Sequence, residues 1–181
     1  MATLYQRILQ DRFELLAPAL RQFLSEESGG RVCGRLSITR TPGRLHNLAA
    51  AAMGIPPAGD YDLVLEVLPF AGGQRWVRHF GTYTLATNQK DYRGMLIEYA
   101  GPASIGFELV VQSGSLFFHP RHAWVMGIPL PRWLAPRIEA ENRSTETDGW
   151  RVRVRFCVPL LGLVAEYEGN VEPEKASPSG C

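Results

Sequence analysis

The residue with the most demanding chemistry in this sequence is an arginine, Arg78 in the run RWVRHF. If that run is a strand, successive side chains point to opposite faces. Arg78 then shares a face with Trp76 and Phe80, while Arg75, Val77 and His79 take the wet one. A guanidinium on a dry face cannot stay unpaired without a large desolvation cost. It needs a carboxylate, carbonyl groups or a bound anion, unless it sits near a strand end and snorkels to water. Inside a barrel the same fork is a head-group anchor for the carboxylate or phosphate of an otherwise apolar ligand. Tyr99 and Tyr167, read on dry faces, could add hydroxyl donors beside it.

Two histidines raise the alternative of catalysis. Hairpin registers read from the sequence pair Glu66 with His79 and Glu108 with His119, and a carboxylate beside an imidazole is how a general base is oriented. Both pairs fall on the face assigned to solvent, and no serine or cysteine is placed to be a nucleophile, so no catalytic residue is assigned. HPRH, His119 to His122, has a metal-like gap but no third ligand. Cys33, Cys157 and Cys181 are far apart and lack metal spacing. There is no GxGxxG or Walker pattern, so no cofactor is expected.

Strands must position these groups. Period-two alternation runs through Val32, Gly34, Leu36 and Ile38; Leu63, Leu65 and Val67; Met95, Ile97 and Tyr99; Ile105, Phe107, Leu109 and Val111; and Trp150, Val152, Val154, Phe156 and Val158. A Ser113-Gly114 turn sets Val111 opposite Leu116 and Leu109 opposite Phe118. A Gly72-Gly73 turn sets Leu65 opposite Phe80 and Pro69 opposite Trp76. A turn centred on Leu160-Leu161 pairs Arg155 with Glu166 and Arg153 with Glu168 across strands. Before the strands, Leu4, Tyr5, Ile8, Leu9, Phe13 and Leu16 recur at helical spacing, and Pro18 restarts a helix that ends at Ser28-Gly29-Gly30. A further helix is expected within Gly43 to Gly54.

With short turns and no helices for βαβ units, the sheet is expected to be antiparallel. About 8–10 strands must curl, close or fold over. The fold class is therefore mainly β (α+β), a strongly curved antiparallel sheet or β-barrel with the N-terminal helices packed on one side. Residues 1–171 form one domain, and 172–181 a polar, disordered tail. GIPLPRWLAP, Gly127 to Pro136, can neither continue a helix nor donate regularly to a sheet. It is read either as a lid laying Trp133 over the open end or as a surface loop with a packed tryptophan.

Composition narrows the function classes. A formal charge of +1 over 181 residues offers no basic face for nucleic acid. No apolar run reaches the roughly 18 residues of a membrane span, and the N-terminus lacks a signal-like core, so the expected address is cytoplasmic.

The segments LYQRILQDRFELLAPALRQF, GRLHNLAAAAMGIPPAG, RWVRHFG, GIPLPRWLAP and VPLLGLVAEYEG, in that order, resemble a bacterial domain-of-unknown-function family. Its members occur alone or fused behind saccharopine-dehydrogenase-like reductases. The resemblance implies a module without an assigned reaction, and a reductase-like partner protein. Together these readings lead to a non-catalytic module holding a lipid-like or other amphipathic small molecule. Arg78 would grip its polar end, Trp76, Phe80, Tyr99 and Tyr167 would line the pocket, and Trp133 would cover it. The alternatives are an enzyme using a Glu-His pair and an interaction module with a filled core.

Overall fold

The structure is a computed structural model that describes residues 2–145 and 148–174. The chain begins with α1 (Leu4–Leu9), a 3-10 helix (Gln10–Leu15) and α2 (Pro18–Ser25). Thr3 starts α1 through a capping box: its hydroxyl accepts from the Gln6 N–H, and the Gln6 side chain accepts from the Thr3 N–H. At Gln10 the backbone turns to a φ of 51° and α1 ends. Pro18 opens α2 at a position where its missing N–H costs nothing. Every apolar residue named in the helical repeat is buried.

Eleven strands follow: β1 (Arg31–Arg40), β2 (Gly59–Phe70), β3 (Gly73–Phe80), β4 (Tyr83–Tyr92), β5 (Met95–Ala100), β6 (Ala103–Gln112), β7 (Ser115–Val125), β8 (Ile128–Pro129), β9 (Arg137–Ser144), β10 (Trp150–Val158) and β11 (Gly162–Pro173). They form one sheet in the order β6-β5-β4-β3-β2-β1-β11-β10-β9-β7-β8, and β6 also pairs with β7. That last pairing closes ten strands into an antiparallel barrel, with β8 as a short extra strand. Closure removes the open edges that a curved sheet would otherwise leave. β11 runs through Pro173, two residues into the expected tail, while 175–181 lie outside the described residues.

Because consecutive strands are antiparallel, the connections alternate between the two ends. One end carries the turns β2–β3, β4–β5 and β6–β7, and the N-terminal helices plug it. Leu16 bridges to Gly114, and the Ala17 N–H donates to the Gly114 carbonyl at 2.9 Å in the β6–β7 turn. Tyr5 and Phe23 each approach the Trp76 ring at 6.2 Å, and Phe23 lies 5.3 Å from Trp150. The other end carries α3 (Arg44–Ala52), between β1 and β2, and the proline-rich connection from β7 to β9. No helix among the described residues is long and apolar enough to cross a membrane.

The registers Val111–Leu116, Leu109–Phe118, Arg155–Glu166 and Arg153–Glu168 are observed. At β2–β3 the observed partners are Leu65–Arg78, Val67–Trp76 and Leu63–Phe80, two residues from the expected register. The turn consists of Ala71 and Gly72, with Gly72 at a φ of 82°, a conformation open to glycine. A slip of two keeps each side chain on its face, whereas a slip of one would reverse it.

The β5 faces do reverse. Its apolar residues occupy both parities, so alternation alone is ambiguous. The Arg93-Gly94 turn pairs Gln89 with Glu98 and Asp91 with Leu96, which turns Leu96, Glu98 and Ala100 inward. Ile97 is buried under the outer face instead, where Met95, Ile97 and Trp124 gather over Gly106.

Candidate functional site: a cavity inside the barrel

Between the helical plug and the opposite end, the barrel interior keeps a cavity of about 280 Å³. Its walls are mostly apolar, with Phe23 and Leu24 of α2 at the plugged end and Phe80, Phe107, Phe118, Val154 and Phe156 around the sides. Near the other end the lining includes Met53 beside α3, Leu130 and Pro136. The wall carries one charge of each sign among the described residues, Arg78 and Glu98.

Arg78 points inward with its side chain 14% exposed, and Glu98 lies 3.2 Å away with 20% exposure. They sit on β3 and β5, so β4 runs between them and supplies the bridge. Arg78 Nη1 donates to Thr87 Oγ1 at 3.0 Å, and Thr87 Oγ1 donates to Glu98 Oε1 at 2.5 Å. The guanidinium also lies over the Trp76 ring, 5.2 Å from its centroid, a favourable cation–π position. Deeper toward the plug, Gln89 Oε1 accepts from Tyr5 Oη and from Gln74 Nε2, both at 3.0 Å. Trp76 Nε1 is buried and has no hydrogen-bond partner among the described residues.

The electrostatics follow from this placement. Burial opposes the positive charge of Arg78, but Glu98 beside it, helped by Tyr167 and Tyr5, holds the guanidinium pKa above its ordinary value. Burial pushes the Tyr5 phenol well above the usual tyrosine range, and Tyr167 shifts the same way for the same reason, with Arg78 opposing both.

Of the residues singled out from sequence, Arg78, Trp76, Phe80 and Tyr167 come together on the cavity wall. Tyr99 does not: it is 41% exposed on the outer face of β5, a correction that follows from the reversed parity of that strand. Trp133 is also corrected, being 74% exposed and absent from the lining. The GIPLPRWLAP run forms the β7–β8 hairpin and then a tight turn in which the N–H groups of Leu134 and Ala135 donate to the Pro131 carbonyl. That turn sends Leu130 and Pro136 to the cavity and the tryptophan to solvent.

Glu98, Thr87, Gln89 and Gln74 were missed in the sequence. A signal existed, since Thr87 and Gln89 share parity with Leu85 along β4 and mark a polar stripe on a dry face. The counter-charge for Arg78 is thus a carboxylate of the chain itself. The Glu-His pairs stay outside the barrel: His79 Nε2 is 4.0 Å from Glu66 Oε2, and Glu108 is engaged by Arg121 across from His119. Neither pair lines the cavity.

Comparison with curated proteins yields no match. Among solved structures, the barrel is similar to a protein of unknown function from the DUF3598 family of Nostoc punctiforme, with a TM-score of 0.53 and 14% identity. The match covers 80% of this chain and 46% of that one, so this chain spans about half the length of its structural neighbour. At that identity the likeness concerns the fold alone. The family profile of the domain of unknown function DUF4166 matches residues 16–171, and the chain belongs to that family.

Proposed function

We propose that the barrel is a non-catalytic binding module that holds a lipid-like or other amphipathic small molecule in its interior. The observation that carries this reading is the cavity itself: about 280 Å³ of mostly apolar space with a polar cluster set into one wall. Ligand pockets typically combine an apolar lining with a few placed polar groups in this way. The size of the void also weighs in its favour. At roughly 24 cal/mol per Å³, an unfilled space of 280 Å³ forgoes on the order of 7 kcal/mol of packing. That is comparable to the whole stability of a domain, about 5–15 kcal/mol. An interaction module with a filled core has no use for such a space, and the catalytic alternative lacks a Glu-His pair facing it.

Arg78 and Glu98 orient the polar end of the ligand, while Trp76, Phe80 and Tyr167 hold the apolar body. Met126, Ile128, Trp133 and Leu160 stand exposed at the end opposite the helical plug, and a reductase-like partner would dock there. The test is native mass spectrometry with organic extraction of the purified protein. A stoichiometric small molecule is expected, and Ala140→Phe, which fills the cavity from β9, should lose it while keeping the far-ultraviolet circular dichroism of the barrel. Recovery of nothing, together with no uptake of amphipathic probes, would sink the reading.

A further inference from the structure

The binding reading leaves open which head group the cavity accepts, and the polar cluster bears on that choice. Arg78 has five N–H donors, of which one is directed to Thr87 and one to Glu98. The remaining donors belong to a side chain on the cavity wall, so the site can still donate to an oxygen. Its charge, however, is already balanced. Glu98 lies 3.2 Å from the guanidinium, and Thr87 ties the two together from the strand between them. The other titratable groups coupled to this pair are the phenols of Tyr5 and Tyr167, which burial keeps in their neutral forms. Among the described lining residues no second cation is present.

From this balance we infer that the cavity selects amphiphiles with an uncharged oxygen-bearing head, a hydroxyl, carbonyl or ester, over those with a carboxylate or phosphate. A ligand anion would enter a low-dielectric space whose single cation is already matched, and it would face the Glu98 carboxylate at close range. A hydroxyl or carbonyl oxygen accepts from Arg78 without disturbing the pair. This inference rests on the binding reading and deepens it.

The test uses isothermal titration calorimetry of the purified protein with three probes of one chain length: decan-1-ol, methyl decanoate and decanoate, at pH 8. The alcohol and the ester are expected to bind at least about tenfold more tightly than the carboxylate, the equivalent of one unmatched charge in a partly buried site. Glu98→Gln, which frees the guanidinium while keeping the hydrogen-bonding shape, should invert that order. The wild-type comparison needs no variant to fold, and equal or tighter binding of decanoate by the wild type would overturn the inference while leaving the binding module standing. An unchanged ratio in a folded Glu98→Gln would overturn it as well. Failure of all three probes to bind would remove the binding reading and this inference with it.

Discussion

On the outer wall, Arg153 and Arg155 of β10 meet Glu166 of β11 at 3.0 and 3.2 Å, with both arginine side chains about two-fifths exposed. On the inner wall, Arg78 and Glu98 meet at a similar 3.2 Å with 14% and 20% exposure. The distances are alike and the surroundings are not. Outside, the charges form a ladder that includes Arg151 and Glu168, in which Glu166, itself only 16% exposed, is shared by two arginines that both reach water. Solvent-exposed pairs of this kind add little to stability. Inside, neither charge has a second partner of opposite sign on the wall, so each depends on the other. The same two residue types thus serve as strand-pairing groups with solvent-reached arginines on one face and as a mutually dependent unit on the other.

The largest effect is expected at Arg78. Replacing it with alanine strands Glu98, and the stability measured by urea unfolding should fall by roughly 3 kcal/mol, the lower part of the range for a broken buried pair. The double replacement Arg78→Met with Glu98→Leu should cost at most about 1 kcal/mol, because no charge is left behind. A double-mutant cycle with additive losses would show that the inner pair behaves like the outer ladder.

Alkali tests the same wall through its tyrosines. The folded pKa values of Tyr5 and Tyr167 are raised, so their contribution is fully present below the unfolded value near 10 and is lost as pH rises above it. Unfolding free energy should decline by up to about 1.4 kcal/mol per pH unit for each phenol in that window, and Tyr5→Phe should remove one share of the slope. A stability flat above pH 10 would place both phenols in water.

On the outer wall, Arg153→Ala should lower stability far less than Arg78→Ala does, because the exposed pair is screened by solvent, and the difference from wild type should shrink further in about 1 M salt. A loss as large as that at Arg78 would erase the distinction between the faces. The smallest effect is expected at Glu108, whose carboxyl is held below its ordinary value by the hydrogen bond and charge of Arg121. Its contribution is present above the usual carboxylate range and disappears as pH falls through the lowered pKa. Side-chain carbon NMR should show Glu108 titrating upward toward its ordinary value in Arg121→Ala.

Much of the architecture was legible because strand alternation carries face information directly. Trp150 to Val158 alternates without ambiguity, and its inward and outward sets match the barrel. Arg78 was legible for the same reason, since an arginine between Trp76 and Phe80 has one face available. The β5 segment MLIEYA was not, because both of its parities are apolar and a two-residue turn at Arg93-Gly94 selects between them. The reversal placed Tyr99 outside and concealed Glu98. Trp133 was misread for a different reason: proline fixes local φ values but not the direction in which a turn delivers its side chains.

Local periodicity and turn chemistry within a few residues specify the antiparallel pairing, the existence of the N-terminal helices and the inward face of Arg78, but not the seating of those helices in one end of the barrel. Closure of the sheet, and the pairing of the arginine with a carboxylate of the same chain, arise in three dimensions. Closure rests on β6 meeting β7 while β7 also meets β9, and the Arg78–Glu98 pair spans an intervening strand across twenty residues of sequence. Both depend on how twist accumulates around the whole barrel, and no local pattern contains that sum.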